Sequence, residues 1–368
     1  MFVNVDWFFL SHRLVIANAA KSYNIDITVY ADITNQQNNI NKRSFDLLQS
    51  PLNRVTKYFS YEFIEILKAI FLIKKNKPDL IHAVTIKPIV LLGIASRLTK
   101  VPFIGAVTGL GPAFSLTGWK SKLRLKLILI IYTFILKSPK SALICQNKND
   151  IEILLKYKIC DKKQIFLVNG SGVNLEKYSP IWANHKEKPF ILMASRILTD
   201  KGVLEFCAAA KLLIEKYKCN VKFKIAGPID RHSPNCILEK KLNEICSGSG
   251  VEYLGDRNDL NVLLASAKIF VYPSYYPEGI PKVLLEAAAS GTPVLTTDHP
   301  GCRDAIIIGK TGLTVEPKNI QELASTILQM LNDNNLSNMG IEGRKLAVEQ
   351  FDEKQVVKKH YEIYSKFL

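Results

Sequence analysis

Residues 269–297 read IFVYPSYYPEGIPKVLLEAAASGTPVLTT. The stretch alternates between two kinds of local chemistry. Residues 269–272 form a short apolar, β-prone run. The segment 273–279, with two prolines and a glycine, cannot continue it. Pro281 fits the first turn of a helix, where a missing N–H is no loss. Residues 283–289 are apolar and helix-tolerant, Gly291 stops the helix, and 293–297 begin another strand. The spacing therefore predicts strand, loop, helix, turn and strand, one unit of an α/β sheet. Two carboxylates flank the helix start: Glu278 in the loop and Glu286 eight positions on. The unpaired N–H groups and dipole of a helix N-terminus favour an anion. An anion cradle between two hydrogen-bond acceptors suits a nucleotide-sugar, with amides for the diphosphate and carboxylates for ribose and sugar hydroxyls.

The remaining chain continues the α/β alternation. Residues 2–10 are expected to be a mostly apolar strand, with 11–13 capping a helix through Val15, Ile16, Ala19 and Ala20. Ligands of open α/β sheets bind outside the carboxyl ends of strands, which makes His12 and Arg13 candidate acceptor-binding residues; His12 serves equally well as a helix cap. Residues 26–30 read as a second strand, 32–60 as a polar excursion, and 62–75 as an amphipathic helix. A strand at 78–82 leads to Lys87 at the start of the next helix, a candidate for an acceptor phosphate or a plain surface lysine. After a strand at 101–107 comes the turn Thr108-Gly109-Leu110-Gly111-Pro112. Its glycines allow close backbone approach to a ligand, but GLGPAF lacks the third glycine of a dinucleotide fingerprint.

Charge is uneven. Residues 1–175 hold 24 Lys+Arg against 10 Asp+Glu, net +14, whereas 176–368 hold 25 against 23, net +2. A basic half attracts nucleic acid or an anionic membrane, and no nucleic-acid module is present, so a membrane surface is the expected partner. The strongest such signal is WKSKLRLKLILIIYTFILKSPK, 119–140, in which Trp119, Lys120, Lys122, Arg124 and Lys126 precede or enter the apolar run 127–136. Ten apolar residues are too few to span a bilayer. The expected arrangement is an apolar part packed inside with a basic end on lipid headgroups. The opening residues show no secretory pattern. Seven cysteines at 145, 160, 207, 219, 236, 246 and 302, none in a C-x-x-C pair, read as reduced thiols of a cytoplasmic protein.

Glu278 and Glu286, with EGIPKVLLEA between them, resemble the Glu-x7-Glu signature of the family-4 retaining glycosyltransferases. DWFFLSHR at 6–13 is similar to the opening of that family's capsule and O-antigen branch, NGSGVN at 169–174 to its interdomain crossing, and GCRD at 301–304 to its Gly-Cys-Arg-Glu loop. The resemblance implies a GT-B fold: two Rossmann-like α/β domains facing a central cleft, 1–174 for the acceptor and 175–352 for the nucleotide-sugar, with 353–368 returning to the first. It implies that Arg196 and Lys201, on SRILTDKG, neutralise the donor diphosphate beside Gly202, and that the amides near Gly279, Ile280 and Pro281 hold it too. Glu286 would bind ribose and Glu278 the transferred sugar. Asp256 and Arg257 become candidates near the nucleobase, and Arg303 near the active cleft. Family relatives often carry a histidine where this chain has Thr108; a hydroxyl can bond a sugar but cannot act as a base near neutral pH.

The implied activity is retaining transfer of a hexose or N-acetylhexosamine from a UDP-sugar to a polyprenyl-diphosphate-linked saccharide, without metal, at the inner face of the plasma membrane. Other readings of the same residues are a non-hydrolysing UDP-sugar 2-epimerase and a catalytically silent membrane-surface partner of a transferase. A glycoside hydrolase would place two carboxyls ~5 to 9.5 Å apart across a bond, and the phosphate-binding loops argue against it.

Overall fold

The computed structural model describes residues 1–34, 45–52, 59–110, 119–180, 189–231 and 233–368; residues 59–61, 119–121 and 124 enter through their backbone alone. The chain forms two compact units: Met1–Gly172 with Glu353–Leu368, and Val173–Asp352.

The first unit is built on a seven-stranded parallel sheet. Its strands are β1 (Phe2–Val5), β2 (Thr28–Asp32), β3 (Asp46–Gln49), β4 (Ile81–Val84), β5 (Phe103–Val107), β6 (Ser141–Cys145) and β7 (Ile165–Leu167). Their order is β3-β2-β1-β4-β5-β6-β7. β4, β5 and β6 are buried along their whole length, as central parallel strands covered on both faces must be. The helices Phe59–Asn76, Ile86–Thr99 and Trp119–Leu136 pack in sequence against one another. The helix Glu353–Tyr364 packs on the helix Leu14–Ala19, where Tyr361 Oη donates to the Ile16 carbonyl at 2.7 Å and its ring stacks on Tyr23.

The second unit holds a six-stranded parallel sheet of β8 (Phe190–Ala194), β9 (Lys222–Ala226), β10 (Val251–Tyr253), β11 (Ile269–Tyr272), β12 (Val294–Thr297) and β13 (Gly312–Val315). The order β10-β9-β8-β11-β12-β13 reverses direction between β8 and β11. That reversal is the topological switch point at which an open α/β sheet leaves a crevice for a ligand. One side of the sheet buries Ile191, Phe223, Val271 and Leu295 among the helix residues Phe206, Leu213, Leu323 and Ile327; the other buries Leu192, Phe270 and Val294 among Leu284, Leu285 and Ala288.

The stretch 269–297 folds as its pattern predicts: β11, the helix Lys282–Ala289, and β12. Pro281 stands one place earlier than expected, as the N-cap, with φ −61°.

The opening differs. The strand ends at Val5, and Asp6–His12 is a helix rather than the continuation of a strand to residue 10. Trp7, Phe8 and Phe9 have β-prone side chains, but Asp6 decides the local geometry. Fully buried, it accepts from Trp7 N at 2.7 Å, Thr34 N at 2.8 Å and Thr34 Oγ1 at 2.7 Å, which turns the chain immediately after β1. β2 runs from 28 to 32 instead of 26 to 30.

The helix Trp119–Leu136 corrects a second expectation. Tyr132, Ile135 and Leu136 are buried, yet Leu123, Leu127, Ile130 and Phe134 are exposed, so its apolar run is only half inside. Among the described residues, no helix is long and apolar enough to cross a membrane.

Candidate functional site

The carboxyl ends of β8 and β11 bring together residues 77 positions apart. β8 ends at Ala194, and Ser195–Leu198 leads into the short 3-10 turn Thr199–Lys201. Gly202 follows with φ +83°, and a Cβ there would lie 2.2 Å from the Pro273 carbonyl oxygen. Only glycine satisfies both conditions. The loop after β11 is then stitched onto this turn: Tyr275 N donates to the Asp200 carbonyl at 3.0 Å, and Tyr275 Oη to the Thr199 carbonyl at 2.9 Å. Because β8 and β11 are hydrogen-bonded neighbours, the two loops share one rim.

On that rim Lys201, 3% exposed, places Nζ 2.5 Å from Glu278 Oε1. Tyr272 Oη donates to the same carboxylate oxygen at 2.9 Å. The ammonium also lies 4.7 Å from the Tyr276 ring centroid, a cation–π distance. Glu278 keeps more than a fifth of its side chain open. In this arrangement a cation and an anion neutralise one another at the mouth of a crevice. A phosphate brought to this rim would offer the lysine a second anionic partner, and a hydroxyl would find an acceptor in the carboxylate.

Arg196 lies in the segment after β8, and its Nη1 is 2.9 Å from Asp230 Oδ2. Asp230 lies beyond β9 and orients the guanidinium, which stays one-third exposed. Gly279, Ile280 and Pro281 are buried and lead into the helix Lys282–Ala289, whose first N–H groups have no intrahelical acceptor. Gly301 closes this loop from the other side. A Cβ on it would stand 2.0 Å from the Gly279 carbonyl oxygen and 2.5 Å from that of Glu278.

Glu286, one turn into the helix, is buried. Burial pushes its carboxyl above the usual range, partly offset by Lys282 and a hydrogen bond from Tyr178. A raised pKa means that protonation begins at higher pH on acidification. If the ionised form accepts ribose hydroxyls, the acid limb of kcat/KM lies above the ordinary carboxylate range. Glu286→Gln is expected to abolish that limb while lowering activity; a limb unchanged in the variant assigns it to another group.

Three other expected residues are exposed. Asp256 and Arg257 are exposed beyond the edge strand β10, and Arg257 is held bidentately by Asp259 at 2.8 and 2.6 Å. Arg303 is exposed and paired with Asp298 at 2.7 Å.

In the first unit, the expectation that His12 and Arg13 lie at a strand end is corrected by the intervening seven-residue helix. His12 stacks on Phe8 at its C-terminus, with Nδ1 2.6 Å from Ser11 Oγ. Arg13 is 1% exposed, and its burial lowers its pKa to about 10. The guanidinium does not face solvent and lies within electrostatic reach of Tyr364. Lys87 is at the second position of its helix, as expected, and forms an ion pair with Glu65 at 3.1 Å. Thr108 is half-buried at the end of β5, and Gly109 takes φ +120°. Gly111 lies outside the described residues, as do the side chains of Trp119, Lys120 and Arg124. Lys122 and Lys126 are exposed on their helix.

Several residues escaped the sequence reading. Tyr272 and Tyr276 look like sheet and loop filler until Lys201 is placed among them. His299, at the turn after β12, feels the Glu278 carboxylate, and its Nδ1 is buried without a hydrogen-bond partner among the described residues. Thr85, at the carboxyl end of β4, has φ +75° and ψ 160°, a strained conformation for a β-branched residue of the kind that collects at binding sites. No spacing rule reveals it. A cavity of about 620 Å³ in this unit opens at the opposite, amino ends of β1–β4, against Met1, Asp26, Asp46 and Asp79. By the strand-end rule it is not the ligand crevice.

Two doubly wound parallel sheets, the second carrying a Lys–Glu pair and a helix N-terminus at its switch point, define the GT-B class of glycosyltransferase. The comparisons give the family. Residues 175–346 match the model for glycosyl transferases group 1, and residues 1–147 match that for glycosyl transferase 4-like domains. A Campylobacter jejuni N,N'-diacetylbacillosaminyl-diphospho-undecaprenol α-1,3-N-acetylgalactosaminyltransferase is 31% identical over 289 residues, covering 75% of this chain and 73% of the relative. An Escherichia coli UDP-Gal:α-D-GlcNAc-diphosphoundecaprenol α-1,3-galactosyltransferase is 29% identical, covering 80% and 76%. Among solved structures, a Rickettsia africae glycosyltransferase superposes with TM-score 0.79 at 20% identity, covering 100% and 97%. Anabaena HepE in complex with UDP superposes with TM-score 0.77 at 17% identity, covering 99% of each chain. The chain belongs to this glycosyltransferase family.

Proposed function

We propose that this enzyme is a retaining, metal-independent glycosyltransferase. It moves a hexose or N-acetylhexosamine from a UDP-sugar to a polyprenyl-diphosphate-linked saccharide in surface polysaccharide or glycan assembly. The names of the two relatives above, both acting on diphosphate-undecaprenol-linked sugars, support the acceptor class, and the second supports a UDP-linked donor.

The observation that carries the reading is the enclosed Lys201–Glu278 pair at the switch point of the second sheet. Fixed cations stabilise the charge that develops on a departing nucleoside diphosphate. Lys201, oriented Arg196 and the helix N-terminus supply that stabilisation, so a metal has no necessary place. Glu286 holds ribose, and Glu278 the transferred sugar. The acceptor hydroxyl attacks the anomeric carbon from the face the diphosphate leaves. The carbon–oxygen bond to phosphate breaks, and the departing phosphate oxygen takes the hydroxyl proton. No side-chain base is then required where this chain has Thr108.

The test is incubation of the full chain with a panel of UDP-sugars and polyprenyl-diphosphate-linked acceptors in chelator, with product read by mass and anomeric configuration. Transfer with retention is expected. Interconversion of free UDP-sugars without an acceptor, or no transfer from any UDP-sugar, would overturn the reading.

A lipid-linked acceptor requires the enzyme at a membrane surface, on the reading above as a peripheral protein of the inner leaflet. Neutralising Lys120, Lys122, Arg124 and Lys126 together is expected to weaken binding to anionic vesicles by about tenfold or more at low salt, and by less at high salt. Flotation with vesicles at two ionic strengths measures it.

A further inference from the structure

Three neighbouring helices of the first unit carry large apolar side chains that the described residues leave uncovered. On the helix Phe59–Asn76, Glu65, Ala69 and Ile73 turn inward, while Phe63, Leu67 and Phe71 form a stripe at four-residue spacing that is 63%, 50% and 69% exposed. On the helix Trp119–Leu136, Leu123, Leu127, Ile130 and Phe134 form a second exposed stripe. The helix Ile86–Thr99 packs against both. It exposes Leu98 and places the Arg97 guanidinium 5.8 Å from the Phe134 ring centroid, tying the middle helix to the second stripe. Large apolar side chains at regular spacing on two helices of one layer are not the scattered singles of an ordinary surface.

Charge identifies what covers them. The three helices carry nine Lys or Arg residues and two acidic ones, Glu62 and Glu65, and Glu65 is already paired with Lys87. Lys68, Lys74, Lys75, Lys122 and Lys126 are exposed. A second copy of the same face would bring like charges together, whereas an anionic lipid surface complements them. A helix with apolar residues on one side and lysines beside them lies at the headgroup–acyl boundary.

We propose that this three-helix face is a bilayer-inserting surface. Phe63, Leu67 and Phe71 enter the acyl boundary together with Leu127, Ile130 and Phe134, and the flanking lysines contact anionic headgroups. The proposal rests on the reading that the acceptor is lipid-linked and deepens it. Attachment is then not the work of the basic end of one helix: a second helix inserts, and apolar insertion holds the enzyme where salt screens the lysines.

The experiment is flotation of the full chain with vesicles of phosphatidylcholine and phosphatidylglycerol, at low salt and at about 1 M salt, where the screening length is about 3 Å. Two double variants, Phe63→Ser with Phe71→Ser and Leu127→Ser with Ile130→Ser, change exposed positions, and their melting curves check the fold. The wild type is expected to remain bound at high salt. Each double variant is expected to bind at low salt but to lose about tenfold or more of its high-salt partitioning. Complete release of the wild type at high salt, or variants that partition like the wild type, would overturn the proposal. So would a wild type that ignores vesicles and forms a dimer disrupted by these substitutions. Transfer to a water-soluble short-chain acceptor is measured in parallel. Its preservation in the variants, with loss on vesicle-embedded acceptor, supports the proposal. Absence of soluble transfer in the wild type refutes the transferase reading without touching the flotation result.

Discussion

Lys201→Ala is expected to lower kcat/KM by about 10²- to 10³-fold, the usual cost of removing one fixed group that stabilises developing charge. The effect should fall on kcat as well as on donor binding, since a departing diphosphate gains charge in the transition state. Two features of the site make Lys201 hard to replace. Its Nζ is enclosed, 2.5 Å from Glu278 and above the Tyr276 ring, so water cannot take over its role without rearranging the loop. Removing it also leaves Glu278 with Tyr272 as its remaining named partner, and a carboxylate without its cation at the rim would repel a phosphate. The fold should survive, because Glu278 keeps part of its side chain in solvent. A steady-state comparison with donor varied at saturating acceptor, together with a melting curve, checks both parts.

Gly301→Ala is expected to have a large structural effect in the second unit. The added methyl would meet the backbone oxygens of Gly279 and Glu278 at 2.0 and 2.5 Å, and neither is the far end of a flexible side chain. Overpacking of this kind costs about 3 kcal/mol, which would lower the melting midpoint by about 6 °C or more. Because the displaced backbone belongs to the loop proposed to hold the donor, UDP affinity should fall with stability. Gly248→Ala is the control. It lies within the helix Glu239–Ser249 with open space around it, and alanine there should stabilise by about 0.5–1 kcal/mol. Equal melting points for the two variants would mean that the short helix Pro300–Arg303 does not brace the 278–281 loop.

How far the site could be read from residues depends on where its physics is local. In 269–297 the strand, the proline-interrupted loop and the apolar helix follow from neighbouring residues, and the structure reproduces them. The Lys201–Glu278 pair is not local: it needs β8 beside β11 and a glycine at 202 that tolerates Pro273 against it. Asp6 shows the converse failure. The aromatic run behind it resembles a strand, and only the burial of its carboxylate against Thr34, 28 positions away, reveals the turn. The helices at 59–76 and 119–136 mislead in a third way. The run 127–136 is apolar on all sides, which implies burial, and 62–75 reads as amphipathic, yet large apolar side chains of both helices stand exposed, because the sheet can cover just one face of each.

On the proposed function, the enclosed Lys201 at the switch point of the second sheet holds the diphosphate of a UDP-sugar. Calorimetric titration of UDP into the wild type and into Lys201→Ala, both in chelator, tests it directly. A single site is expected in the wild type, with affinity weakened about tenfold or more in the variant. Equal affinity in both proteins, or no UDP binding by the wild type, would contradict it.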